Sequence, residues 1–142
     1  MAVYVTPYVT LAVGTAIYTS GDALGAKSSF PNVPEKGTIM AINVRDADKE
    51  SVNLDVVFFA SDIVGTDANA AFAPTDAELL TSLGAVLVDT WKAFSDNSMG
   101  SVDNVGLPYW APGGVLYFQC VTRGTPTYTT TTDIALSLSI VY

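Results

Sequence analysis

Apolar and polar positions alternate with a period of two along most of this chain. In "DIALSLSIVY", Ile134, Leu136, Leu138, Ile140 and Tyr142 fall on one face, with Ala135, Ser137 and Ser139 on the other. Successive side chains of a strand point to opposite faces, so this segment reads as a half-buried strand. In "SVNLDVVFF", Val52, Leu54, Val56 and Phe58 alternate with Asn53, Asp55 and Val57. Across "GVLYFQCVTR", Leu116, Phe118 and Cys120 share one side while Tyr117, Gln119 and Arg123 share the other. "VTLAV", "TIMAINV" and "GAVLVDTW" read as further strands, the last carrying Asp89 inside it beside Trp91.

Turn-forming residues separate these runs at Ser20-Gly21-Asp22, Pro31 to Gly37, Asp46 to Glu50, Asp96 to Gly106, Pro112-Gly113-Gly114 and Gly124 to Pro126. Short strands in this number, with one helical candidate, predict an all-β fold: an antiparallel β-sandwich, jelly-roll-like, with one short helix. No internal repeat or low-complexity linker divides the chain. Residues 16–142 read as a single β-sandwich domain and residues 1–15 as an N-terminal arm or first strand.

The helical candidate follows the most site-like stretch, "TDANAAFAPTDAE" (residues 66–78). A calcium loop of EF-hand type needs oxygen ligands at alternate positions and a glycine at the sixth. Counting from Asp67, Asn69 matches the third position, but Ala71 and Phe72 occupy the fifth and sixth, and the match fails. Thr75-Asp76-Ala77-Glu78 instead has capping-box spacing, with Thr75 at the N-cap, Glu78 three residues on, and Leu79, Leu80 and Leu83 behind them. The helix is expected over Thr75 to Leu83, with Gly84 as its stop.

Composition narrows the chemistry. The chain has 142 residues, 49% of them hydrophobic, enough to build a full core. Its single cysteine excludes a disulfide framework and a multi-cysteine zinc site. It has no histidine, and so lacks the commonest general base and metal ligand. A formal charge of −8 leaves no basic footprint for nucleic acid and argues against docking on anionic lipid. The N-terminus lacks the positive n-region of a signal peptide, and no run of 18 apolar residues exists, so the chain reads as soluble and made inside the cell.

Catalysis without histidine can use paired carboxylates. Asp22, Asp46, Asp48, Asp55, Asp62, Asp89 and Asp103 are available, but no spacing singles out a pair and most lie in turns. Cys120 sits in apolar alternation and reads as a small core side chain. The expectation is a protein with no catalytic residues, no cofactor and no metal. Aromatic residues offer a different use. Tyr109 and Trp110, in what reads as a loop, and Tyr4 and Tyr8, in the N-terminal arm, are the candidate protein-interface residues. The arm is apolar and strand-like, with Pro7 interrupting it as edge strands tolerate. It either closes its own sheet or reaches a neighbouring subunit.

Three stretches together carry a family resemblance: "YTSGDALGAKSSF", "FFASDIVGTDANAAFAPTDAELL" and "LYFQCVTRGTPTYTTTTDIALSLSIVY". Their order resembles small virion proteins of tailed bacteriophages, of the head decoration or cement type. The resemblance spans most of residues 16–142, and Asp67, Asn69, Phe72 and Asp76 are the positions matched in its middle motif. It implies a β-rich, disulfide-free structural protein, made in the host cytoplasm and placed on the capsid surface. It further implies binding to the major capsid protein and assembly as a homo-oligomer, commonly a trimer. A tail or baseplate component, a carbohydrate-binding β-sandwich module and a histidine-free hydrolase stay open as alternatives.

Overall fold

β-branched and aromatic residues fill the longest apolar runs, and those runs form the strands. The computed structural model describes residues 1–142. In chain order the elements are β1 (Val3–Val5), β2 (Val9–Thr10), β3 (Ser28–Phe30), β4 (Lys36–Asp46), β5 (Leu54–Phe59) and helix α1 (Asp76–Leu79). There follow β6 (Ser82–Val88), β7 (Trp91–Ala93), β8 (Ser98–Val102), β9 (Leu107–Trp110), a 3-10 turn at Pro112–Gly114, β10 (Leu116–Thr122) and β11 (Ile134–Val141).

Every pairing is antiparallel. One sheet runs β1-β11-β4-β8-β7, with β2 also paired to β11 and β9 also paired to β4. The other runs β3-β10-β5-β6. If β1 with β2, and β8 with β9, each count as one position, four strand positions face four, with β7 added beyond β8 at the edge. Apart from the step from β7 to β8, the chain then changes sheet at every connection except β5 to β6, which is jelly-roll winding. No helix is long and apolar enough to cross a membrane.

The core lies between the sheets. Phe118 of β10 stacks on Phe30 of β3 with ring centroids 4.6 Å apart, and Phe58 of β5 packs 6.4 Å from it. Ile134, Leu136, Leu138 and Ile140 fill the same cluster from β11, as the alternation requires. The strand is not half-buried, however. β11 lies between β1–β2 and β4, and Ala135 and Ser137 on its other face are also buried. There the Ser137 hydroxyl donates to the Thr6 carbonyl (2.9 Å), and the Thr6 hydroxyl accepts from Leu138 N–H (2.9 Å). Thus the N-terminal segment pairs along the chain's own last strand, with Pro7 in the gap between β1 and β2.

A second cluster, Val57, Phe59, Ile63 and Val121, lies on the outer face of the four-stranded sheet with Phe72 and Tyr117 against it. This explains why β5 and β10 are buried on both faces where alternation suggested one.

Four further expectations about the elements need correction. The helix ends early: the Thr81 hydroxyl caps the Glu78 carbonyl and the Ser82 hydroxyl caps that of Leu79, so Leu83 belongs to β6. Gly84 is a strand residue with φ +146°, packed so closely on Leu107 that a Cβ would lie 3.0 Å from its methyl, and it stops no helix. The expected loop Asp96 to Gly106 contains β8. Its Gly100 lies under the Trp91 ring, where a Cβ would come within 3.0 Å, so the aromatic ring fills the space of the missing side chain. Asp89 falls between β6 and β7, outside either strand.

Candidate functional site

The stretch 66–78 is a clamp. Thr75 caps α1 and Glu78 closes the capping box, Oε1 accepting from Thr75 N–H at 2.9 Å. The other Glu78 oxygen accepts from Val64 and Gly65 N–H, tying the loop after β5 to the helix start. The Thr75 amide above all, with burial opposing and the Gly65 and Val64 amides adding, holds the Glu78 carboxyl below its usual range. Asn69 adopts φ +66°, which short polar side chains tolerate, and its amide donates to the Ala16 and Ile17 carbonyls. Asp67 and Asp76 are exposed, and Phe72 rests on the outer cluster. No three His, Cys, Asp or Glu side chains anywhere converge as metal ligands.

Gln119 completes the clamp, and the sequence pattern misplaced it. It is fully buried, its amide donating to the Gly25 and Thr66 carbonyls at 3.0 and 2.6 Å while its oxygen accepts from Thr66 N–H at 3.1 Å. A glutamine in an alternating strand reads as a solvent-facing residue; only a loop folded over that face turns it into a staple.

The carboxylates are dispersed. Asp55 pairs with Arg123 at 2.6 Å and Asp62 with Lys27 at 2.9 Å. Asp22 accepts from Thr19 N–H (2.8 Å). Asp46 is buried and accepts from Asp48 and Ser51 N–H, both at 2.9 Å; burial pushes its carboxyl above the usual range, against those hydrogen bonds. Asp48 accepts from the Thr129 hydroxyl. Asp89 and Asp103 lie exposed. Burial pushes the Cys120 thiol far up, with the Asp55 charge adding to it, so a reactive thiolate is disfavoured.

Asp133, just after the threonine run 129–132, accepts from the Thr129 and Thr130 amides (3.1 Å each) and from the Thr130 hydroxyl (2.7 Å). Burial works to raise its carboxyl, but these bonds, the Thr130 hydroxyl's foremost, win and hold it below 3.8. The charged form is therefore worth stability above the unfolded value of 3.8, and that stability is lost as pH falls through the lower folded value. Asp133→Ala should lower stability at neutral pH by about 2 kcal/mol, the scale for hydrogen bonds to a charged group. The gap to wild type in urea midpoint should narrow at pH well below 3.8; a gap of equal size there would refute this role for the charge.

The four candidate interface residues fall into two pairs. Tyr4 is half-buried opposite Ile140, and Tyr8 is exposed; both line a cavity of ≈ 210 Å³ closed by Phe30, Pro31 and Asn32. Tyr109 and Trp110 belong to β9, not to a loop, because they pair with Gly37 and Lys36 of β4. Tyr109 turns inward: it is 5% exposed, its hydroxyl donates to the Pro34 carbonyl (2.8 Å), and burial pushes its pKa up to about 12. Trp110 turns outward and is 56% exposed. It lines an open depression with Met1, Lys36, Thr38, Val141 and Tyr142, and Tyr142 is equally exposed. The sequence pattern did not bring the two chain ends to this place: β4, paired with β9 and with β11, sets Tyr142 beside Trp110, and β1 on β11 adds Met1. Comparisons with protein-family models, with curated proteins and with solved structures find no match for this chain.

Proposed function

We propose that this chain is a non-enzymatic virion structural protein of the head decoration type, which binds the major capsid protein and stabilises the shell. The observation that carries the reading is the open apolar depression where Trp110 and Tyr142 stand exposed beside both chain ends. Exposed aromatic rings on a rigid strand favour protein contact, since they bring large area with little conformational freedom to lose. The carboxylates support it from the other side: those with partners serve loops and ion pairs, and none gather at this depression. Jelly rolls serve capsid proteins and lectins alike, so the fold alone does not choose between a shell and a sugar.

Co-sedimentation with empty tailed-phage capsids tests the proposal. Wild type should pellet with the shells, and Trp110→Ala should weaken binding by roughly 30-fold or more, as loss of an aromatic hot spot does. Retention on a glycan array without capsid binding would replace this reading with the sugar-binding one. Binding to tail structures but not heads would move the protein to the tail.

A further inference from the structure

The N-terminal edge of the larger sheet is open. Ala2 and Tyr142 exchange two backbone hydrogen bonds (2.8 and 3.0 Å), and Thr6 N–H donates to the Leu138 carbonyl (2.9 Å). In an antiparallel ladder, alternate residues turn their amides to the same side, so Ala2, Tyr4 and Thr6 face β11. Val3 and Val5 therefore turn their N–H and C=O groups outward, and no strand lies beyond β1 to receive them. Their side chains are also 69% and 59% exposed. Native edges are blunted by shortness, by proline and by charge, above all lysine; β1 is short and Pro7 follows it, which leaves charge. This one carries no charged side chain: residues 1–21 have none, nor do residues 134–142 of the neighbouring strand.

We propose that β1 is a self-pairing edge, joining two copies of this chain antiparallel about a two-fold axis through Tyr4. Three features bear on a second copy as the occupant. In this register Val3 of one copy faces Val5 of the other, and each such pair exchanges two hydrogen bonds, so donors meet acceptors on both sides of the axis. Charge does not forbid it: two chains of net charge −8 repel overall, but at this edge they meet where neither presents a charged side chain. Finally, Pro7 excludes one neighbouring register: the two-residue shift that sets Val5 opposite Val5 would put Pro7, which lacks an N–H, opposite Val3 in a hydrogen-bonding position. Such a contact is isologous and closes a pair. It gives a dimer, in place of the trimer that the family resemblance implies, and it does not depend on shell binding, which a separate assay reads.

The mass in solution tests this. Wild type should have twice the 14.9 kDa mass of the chain. Val5→Pro removes only an outward N–H that β11 does not use, and Val3→Lys with Val5→Lys places charge on the edge; both should give the mass of one chain with an unchanged near-ultraviolet spectrum. Tyr4→Cys should cross-link on oxidation, since residues facing across the axis have Cα atoms roughly 4.5 Å apart, within disulfide reach. Val5→Cys, two positions out of register with its own copy, should not. A monomeric or trimeric wild type, a dimer that survives both edge variants, or cross-linking through Val5→Cys but not Tyr4→Cys would overturn the proposal.

Discussion

Replacing Phe118 with alanine is expected to lower stability by about 3–5 kcal/mol, the range for emptying a buried phenylalanine site. The ring is fully buried, stacked on Phe30 and touched by Phe58, and all three sit on β3, β10 and β5 of one rigid sheet. Backbone pairing on both sides of β10 prevents the strands from closing over the void, so the upper part of the range applies. For a domain this size the melting temperature should fall by roughly 10–20 °C. Urea unfolding checks it: the midpoint should drop with little change in slope. A loss under about 1 kcal/mol would mean that the aromatic stack does not anchor the core.

Gln119→Leu should act differently, by loosening one region. Leucine fits a fully buried position in volume but leaves the Gly25 and Thr66 carbonyls and the Thr66 amide without the partners they have now. Buried unsatisfied groups cost about 1–3 kcal/mol each, and half-buried Thr66 can recover some of this from water, so a total of about 3 kcal/mol is expected. The distinguishing readout is amide hydrogen exchange. Residues 60–74 should exchange faster while the β4–β11 ladder keeps its protection. If both regions lose protection together, Gln119 supports the whole fold and not the loop.

These two neighbours in β10 show how far the sequence could be read. Phe118 was legible because its contribution is local: a strand needs an apolar residue every second position, and the alternation displays it. The same rule misread Gln119, since alternation marks two faces but not what covers each of them. A loop lies over the outer face of β5 and β10, and its attachment to Gln119 spans 53 residues of sequence. The capping box was legible for the same reason as Phe118, being complete within four residues. The helix end was not, because two hydroxyls, Thr81 and Ser82, compete for the last carbonyls and release the chain into β6. β8 was hidden in "SMGSV" by small residues, among them Gly100, which lies under the Trp91 ring of the preceding strand β7. Of the proposed surface, the sequence offered Trp110 but not Tyr142, which β4 sets beside it by pairing with both β9 and β11, nor Met1, which arrives through the pairing between the two ends of the chain.

That pairing also sets how the molecule responds to force. Residues 2 and 142 face each other as the last rung of the β1–β11 ladder. Tension applied between them acts across the strands and opens the rungs one after another, from Ala2–Tyr142 toward Thr6–Leu138, as a zipper opens. Tension applied along β4 and β11, between Lys36 and Ile134 for example, would have to shear the longest ladder in the molecule with its rungs loaded together. The protein should therefore yield at low force when held by its ends and resist when held by its centre.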